Sequence, residues 1–416
     1  MSTRPPEAGP LAELVGPGAV RAAGAADAIG DLRPSLVVRP GTALEVAAVL
    51  RAATERGWAV VPRGGGTTLL WGGRPHRCDV VLDTTGLDAL VEHAPADLVC
   101  VAGAGMRLGA LQATVGAAPG FHQRLMLDPP QGEDATLGGL VATRASGPLR
   151  QRYGTMRDLL IGAQFVLADG TVARTGGKVA KNVAGYDLDK LLVGSLGTLA
   201  VIVEVALRLH PVPPVSRTVV VEGGEPRELV GFLAAVRRAP VVPSLLEVLW
   251  PDRVAILRVD SSTAGAERQA EIAAGLHPAA RVVDGAEAAG WADRGRGRPW
   301  RGEGLVAGVG VPLAAIAPLL EAVEREHQRG GPVDLALRGG LGVGEIRLAP
   351  DPAALERVRL AVEGLGGHLD LRRRPAAASD LRTTPPDPVA RELMGAVKGA
   401  LDLGGTLSPG RLGWAG

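Results

Sequence analysis

The pattern of apolar and polar positions predicts a strand–helix–strand unit near the N-terminus. Apolar runs at 35–38 and 59–62 flank a helical pattern that begins at Thr42 and ends near Arg56. Thr42 and Glu45 have the spacing of a capping box, which satisfies backbone N–H groups at the start of a helix. The unit leads into a glycine-rich segment, so its second strand ends just before a run of glycines.

Further elements follow, up to a proline-rich boundary. Strands are predicted at 79–83, 98–101 and 199–209, a hairpin at 159–175, and helices at 107–115, 136–143 and 187–193. The helix at 136–143 contains Gly138 and Gly139, and each glycine costs about 1 kcal/mol relative to alanine. We therefore expect a close backbone approach at this helix. The segment PVPPV at 211–215 is the clearest domain boundary.

The chain beyond this boundary predicts a second domain with both helices and strands. Its interior segment 284–304, which contains DRGRGRPWRGEG, is predicted to be an exposed loop whose arginines form a solvated face. A helix over 388–401 precedes the closing segment LDLGGTLSPGR.

Composition and charge exclude several classes of protein. The 416 residues include 45 basic and 44 acidic side chains, and a net charge of +1 provides no field that would attract nucleic acid or anionic lipid. No apolar run approaches the roughly 18 residues of a membrane span, and the N-terminus lacks the pattern of a secretory signal. Cys78 and Cys100 cannot form a disulfide framework or supply the roughly four ligands of an iron–sulfur cluster. We expect a cytoplasmic, reduced, globular protein.

The rare residue types concentrate between about 120 and 190. Three of the four lysines, Lys178, Lys181 and Lys190, lie there together with the only asparagine, Asn182, and both tyrosines. A chance cluster or ordinary core packing would account for them, since tyrosine is amphipathic and often structural. The alternative is that this stretch builds a site.

The loop PRGGGTT at 62–68 is a candidate anion site because it follows a strand. Successive backbone N–H groups in a tight glycine turn form a concave nest, and Cβ atoms would obstruct an approaching phosphate. The loop is neither a P-loop nor a dinucleotide fingerprint, and taken alone it is equally well explained as a turn. The chain lacks H-E-x-x-H, Cys-x-x-Cys and G-x-S-x-G motifs, so the sequence predicts no protein-built metal site and no acyl-transfer nucleophile.

Five motifs in order carry a resemblance to a known superfamily. They are PRGGGTT at 62–68, ATLGGLVATRASG at 135–147, YG at 153–154, KNVAGYDL at 181–188 and GSLGTLAVIVEV at 194–205. With this order and spacing, the chain resembles the FAD-linked oxidases of the vanillyl-alcohol oxidase type, which have a PCMH-type FAD-binding domain. The DPP triplet before the TLGG helix and the segment GGKVAKNVAGYDL look most like the E-subunit group of bacterial glycolate oxidases.

The resemblance implies an α+β fold, with a two-subdomain PCMH-type FAD-binding domain followed by an α+β cap domain. We expect the FAD-binding domain over 15–212, divided near 85–98, and the cap domain over 213–400. A C-terminal segment, 401–416, is expected to return to the FAD-binding domain. The resemblance also implies an FAD-dependent oxidoreductase that acts on CH–OH donors.

The resemblance further implies a set of FAD-binding residues. These are Pro62, Arg63, Gly64, Gly65, Gly66, Thr67, Thr68, Thr136, Gly138, Gly139, Thr143, Arg144, Ala145, Ser146, Leu196, Gly197, Val201 and Ile202. The glycine loop would wrap the pyrophosphate, the TLGG helix would meet the flavin side, and 143–146 would contact the pyrophosphate and ribityl chain. The later strand would lie along the cofactor. No histidine stands in the glycine loop, where some relatives attach flavin covalently, so we expect non-covalent FAD.

Two departures from the superfamily bear on function. Catalytic relatives usually have GSEGTLG, where this chain has Leu196 and Ala200. The C-terminal part also lacks the histidine-rich, metal-linked substrate motif of the related D-hydroxyacid dehydrogenases.

Oxidation of a 2-hydroxy acid requires a hydride acceptor, a base for the hydroxyl and a cation for the carboxylate. The sequence supplies a place for the first and no convincing set for the others, so catalytic residues stay unassigned. Candidates by proximity in sequence alone are Arg124, Arg144, Arg150 and Lys178.

Three hypotheses remain open. The first is an FAD-binding subunit of a glycolate oxidase or dehydrogenase complex, which passes electrons to a sister FAD subunit and an iron–sulfur subunit; any membrane association would be through these partners. The second is a stand-alone FAD-dependent dehydrogenase of another small 2-hydroxy acid or alcohol. The third is a scaffold that has lost flavin, and the intact glycine loop argues against it.

Overall fold

The computed structural model describes residues 6–177, 187–375 and 387–412, which form a mixed α+β fold as expected. The strands make a four-stranded, a five-stranded and an eight-stranded sheet and a two-stranded ribbon. Every helix in these ranges is too short or too polar to span a lipid bilayer.

The first sheet is built around the predicted strand–helix–strand unit. Its elements are α1 (Ala8–Val15), β1 (Val20–Ala22), β2 (Leu36–Val38), α2 (Ala43–Arg56), β3 (Val60–Arg63) and β4 (Val80–Asp83). The spatial order is β1-β2-β4-β3, and the three strands β2, β4 and β3 are parallel. The Thr42 hydroxyl caps α2 by accepting from the backbone N–H of Glu45, while the Glu45 carboxylate accepts from the N–H of Gly41. The helix cap is therefore present, but the Glu45 carboxylate accepts from the N–H of Gly41 instead of that of Thr42.

The second sheet has five antiparallel strands in the order β5-β6-β10-β8-β9. Elements of this region are β5 (Leu90–Ala94), β6 (Val99–Gly103), α3 (Leu108–Gly116), β7 (Gln123–Arg124), α4 (Leu137–Thr143), α5 (Arg150–Tyr153), α6 (Met156–Leu159), β8 (Leu160–Val166), β9 (Val172–Gly176), α7 (Leu188–Leu192), β10 (Val201–Arg208) and β11 (His210–Pro211). Helix α2 lies between the first two sheets, because Leu50 shares a core with Val166 of β8 and Val201 of β10. The two-stranded ribbon pairs β7 with β11.

The third sheet has eight strands in the order β15-β12-β14-β13-β17-β18-β16-β19, with antiparallel neighbours throughout. Its elements are β12 (Val215–Glu222), α8 (Pro226–Arg238), β13 (Pro243–Trp250), β14 (Val254–Ser261), α9 (Thr263–Ala274), β15 (Ala280–Val283), α10 (Gly285–Gly297), β16 (Leu305–Gly310), α11 (Ile316–His327), β17 (Asp334–Arg338), β18 (Val343–Leu348), α12 (Pro352–Gly364) and β19 (His368–Arg373). A last helix, α13 (Pro388–Leu401), follows.

The two faces of the third sheet differ in chemistry. Along β13, Leu246, Val248 and Trp250 join the core beneath α8, α9, α11 and α12. Successive side chains of a strand alternate between faces, so the intervening residue Glu247 lies on the opposite face. That face meets α5 of the preceding region.

The prediction of an exposed loop at 284–304 is wrong. Helix α10 occupies most of this segment and is followed by a 3-10 turn, Arg298–Trp300. Trp291 is buried with Leu249 and Val254 against the third sheet. Burial of a large aromatic side chain outweighs the poor helix propensity of the interspersed glycines.

Candidate functional site

A cavity lies where the glycine loop after β3 meets the start of α4. We refer to it as the loop cavity. The predicted site residues that line it are Pro62, Arg63, Gly64, Gly65, Gly66, Thr67, Thr68, Thr136, Gly138, Gly139, Thr143, Leu196, Gly197, Val201 and Ile202. The fold therefore brings three separate segments of the chain, 62–68, 136–143 and 196–202, to one place.

Three predicted residues do not line this cavity. Arg144 ends α4 in a left-handed conformation, with φ of 53°, and its side chain is exposed. Ala145 and Ser146 are buried behind it. Of the segment 143–146, which was expected to contact a pyrophosphate, Thr143 therefore lines the cavity and the other three residues do not.

The glycines of the loop are required by packing within the protein. A Cβ on Gly64 would overlap the side chain of Thr136, and a Cβ on Gly65 would overlap the carbonyl oxygen of Asp134. Gly66 has φ of 73°, which only glycine adopts easily. The loop can press against the start of α4 because these residues have no side chains. The sequence suggested access for a phosphate as the reason for these glycines, and the structure adds this packing contact.

The backbone N–H groups of the loop are available to a ligand. In the described ranges, no residue accepts a hydrogen bond from the N–H of Gly64, Gly65, Gly66, Thr67 or Thr68. Consecutive unbonded donors around a concave surface are the chemistry of an anion nest.

The start of α4 is not a second nest. The N–H of Leu137 donates to Met106 and that of Gly138 donates to Ala104, at 2.9 and 2.7 Å. A Cβ on Gly138 would lie 2.9 Å from that of Ala104, so the close approach expected at this glycine is to the chain just beyond β6.

Arg411 brings a buried positive charge to the loop cavity, and sequence reasoning did not single it out. It reaches this position because the N–H of Val60 donates to Thr406 and that of Ser408 donates to Val60, which adds the C-terminal segment to the edge of β3. The guanidinium donates to the carbonyl oxygen of Leu69 at 2.7 Å, and its Nε has no partner among the described residues. The motif LSPGR, which ends at Arg411, is the sequence signal that could have identified this residue.

The charge of Arg411 is not neutralised by a carboxylate within the described part of the chain. Burial lowers its pKa to about 10, which still leaves the side chain protonated at neutral pH. An unpaired buried cation is unfavourable on its own. An anionic ligand in the loop cavity would supply the missing charge.

A second, larger cavity adjoins the glycine loop and extends to the third sheet. We refer to it as the sheet cavity. Trp71 follows the loop and stacks on Trp300 with ring centroids 5.4 Å apart. Arg372, Arg373 and Arg374, at the end of β19, also line this cavity.

The cations proposed from sequence proximity are elsewhere. Arg124 and Arg150 line neither cavity, and burial lowers the pKa of Arg150. Four residues of the rare-type cluster lie outside the described residues: Lys178, Lys181, Asn182 and Tyr186.

Comparisons with known proteins cover the part of the chain that contains the glycine loop and α4. Residues 34–176 match the family described as FAD binding domain. D-lactate dehydrogenase of Archaeoglobus fulgidus is 42% identical over 177 residues, which are 42% of this chain and 39% of that protein. Glycolate oxidase subunit GlcE of Escherichia coli is 40% identical over 136 residues, 32% of this chain and 38% of that protein. The chain thus spans well under half the length of these curated relatives.

The whole fold is similar to solved structures at low sequence identity. 4-Ethylphenol oxidase from Gulosibacter chungangensis, in its isoeugenol complex, superposes with a TM-score of 0.73 at 16% identity. The superposition covers 97% of this chain and 96% of the oxidase. At this identity the comparison concerns the fold alone, including the third sheet, which the family match does not reach.

Proposed function

We propose that this chain, whose residues 34–176 belong to the FAD binding domain family, is the FAD-binding subunit of a complex that oxidises glycolate. The glycine loop carries the proposal, because its unbonded N–H groups line a cavity beside the unpaired charge of Arg411. A pyrophosphate is an anion that such a site would hold.

The residues present fit FAD. The backbone donors of 64–68 and the guanidinium of Arg411 would hold the pyrophosphate, and Leu196, Val201 and Ile202 would offer apolar surface along the cofactor. When bound, FAD would supply the acceptor for a hydride. Trp71 and Trp300 would exclude water from the adjoining sheet cavity, since their stacked rings form part of its wall.

The subunit role is supported by similarity to a protein named as a glycolate oxidase subunit. In this role the chain passes electrons to a sister FAD subunit and an iron–sulfur subunit, and neither the base nor the full catalytic set need belong to it. A stand-alone dehydrogenase of another small 2-hydroxy acid is the second candidate, favoured by the similarity to a D-lactate dehydrogenase.

Two measurements test the proposal. The purified chain is expected to show flavin absorbance and to release FAD on denaturation, and a colourless protein would contradict it. The isolated chain is then assayed with glycolate, D-lactate and a dye acceptor. Turnover that appears only after addition of the co-purified partner subunits supports the subunit role, whereas full turnover by the chain alone favours the second candidate.

A further inference from the structure

The sheet cavity carries more positive than negative charge. The charged residues that line it are Arg63, Arg107, Arg372, Arg373, Arg374 and Asp83. Arg63 pairs with Asp83 and with a second aspartate, and Arg107 also has an aspartate partner. Arg63 and Arg107 are therefore compensated. Arg372 also has carboxylate partners, Glu345 at 2.7 Å and Asp370 at 3.7 Å, so the excess is carried by Arg373, whose partners are neutral.

Arg373 is bound only through neutral groups in the described residues. Its guanidinium donates to the carbonyl oxygens of Trp300 and Gly302, both at 2.8 Å, and of Gly304 at 3.3 Å. These contacts hold the side chain without neutralising its charge. Burial and the nearby Arg347 lower the pKa of Arg373.

Arg372 is positioned by a row of charges across the buried face of the third sheet. Arg338 of β17 lies between Glu247 of β13, at 3.2 Å, and Glu345 of β18. Glu345 in turn accepts a hydrogen bond of 2.7 Å from Nη1 of Arg372. Since charge-assisted hydrogen bonds in buried surroundings are strong, the row fixes the guanidinium.

Two features of the backbone let Arg372 reach this row. The register places Leu371 opposite Ala307 and Arg373 opposite Val306, so Arg372 is the extra residue of a β-bulge. A Cβ on Gly308 of β16 would lie 2.6 Å from Nη2 of Arg372, so the guanidinium crosses this strand only because Gly308 has no side chain.

We propose that Arg372 and Arg373 form the subsite of the sheet cavity that binds the carboxylate of a small mono- or dicarboxylate ligand. The inference rests on the proposed function and supplies the cation that sequence reasoning did not find. The guanidinium of Arg372 lies 5.1 Å from the centroid of Trp71 and that of Arg373 lies 6.0 Å from Trp300. The stacked rings hold both planar cations at one wall, where their forks suit a carboxylate. Gly308 and Glu345 are positioning residues.

The test is calorimetric titration of the purified chain with oxalate, which has two carboxylates and no hydroxyl to oxidise. Arg372→Gln and Arg373→Gln are each expected to weaken oxalate binding by about tenfold or more, the usual loss for a charged hydrogen bond. The matched control is Arg294→Gln, because Arg294 also lies over a tryptophan of the same region, at 4.6 Å from Trp291, but lines a different cavity. It should bind oxalate within about twofold of the wild type.

Positioning is tested separately from folding. Gly308→Ala keeps both arginines but displaces Arg372, so it should weaken oxalate binding while FAD content is retained. Arg373→Lys keeps a charge and should recover part of the affinity that Arg373→Gln loses. Melting temperatures of all variants are measured alongside, so that a variant that fails to fold is replaced by the conservative one.

Three results would overturn the subsite. One is unchanged oxalate affinity in both glutamine variants, and another is wild-type protein that binds inorganic phosphate as tightly as oxalate. The third is loss of FAD from Arg372→Gln or Arg373→Gln, which would assign these cations to the pyrophosphate. Isolation of the wild type without FAD contradicts the proposed function, and the oxalate titration of that protein still decides the subsite.

Discussion

The loop cavity and the sheet cavity are built from different parts of the polypeptide. The loop cavity presents backbone N–H groups of residues 64–68 on a turn whose glycines are required by packing. The sheet cavity presents arginine side chains that a row of carboxylates and two tryptophans hold in place. A site made of backbone donors is sensitive to any added Cβ atom, whereas a site made of side chains is sensitive to charge.

The largest expected effect concerns the loop cavity, which is lined by backbone N–H groups. Gly64→Ala places a methyl group into the side chain of Thr136, which should destabilise the fold by about 1–3 kcal/mol and abolish FAD retention. FAD content and urea unfolding are the measurements. The control is Gly18→Ala, where the added methyl group meets open space. Normal FAD content in Gly64→Ala would mean that the loop can shift without loss of the site.

The next largest effect concerns the charged residues behind the sheet cavity and the pH dependence of folding stability. Burial raises the pKa of the Glu247 carboxyl to about 7, from an ordinary value of 4.5, despite the opposing charge of Arg338. A carboxyl with a raised pKa in the folded state stabilises the fold below the ordinary pKa, and this contribution is lost as the pH rises through about 7.

Glu247→Gln removes this titration. The wild type should therefore lose up to about 3 kcal/mol of stability between pH 4.5 and 8 that the variant does not lose. Urea unfolding of both proteins at the two pH values measures the difference. Parallel pH dependence in the two proteins would contradict the raised pKa. Asp128, whose pKa is also raised by burial, to about 6, titrates in both proteins.

The smallest effect concerns Arg411, a buried cation that lines the loop cavity. Arg411→Gln should weaken FAD binding by about 2 kcal/mol, because a charged hydrogen bond is lost. The apo protein should be no less stable than the wild type, since an unpaired buried charge is removed. Apo melting temperature and FAD titration measure the two quantities. A parallel loss of apo-protein stability and FAD affinity would assign Arg411 a structural role instead.

How much of the molecule was predictable differs between its regions. The strands of the first two sheets, apart from β1 and β5, were predicted from apolar periodicity and turn residues, since these are local signals. Helix α10 did not, because its formation depends on burial of Trp291 against strands that are distant in sequence. The segment that carries Lys178, Lys181 and Asn182 lies outside the described residues, so the site hypothesis for it stays a prediction.

The amino-acid sequence alone indicated the α+β fold class and, through the resemblance of its motifs to a known superfamily, the segments that line the loop cavity. Only the tertiary structure decided which cations meet these segments. Arg411 arrives through pairing of the chain end with β3, and Arg372 through a bulge and a gap above Gly308. Such contacts join residues far apart in the chain, and arginines are too frequent here, among 45 basic residues, for position in sequence to distinguish them.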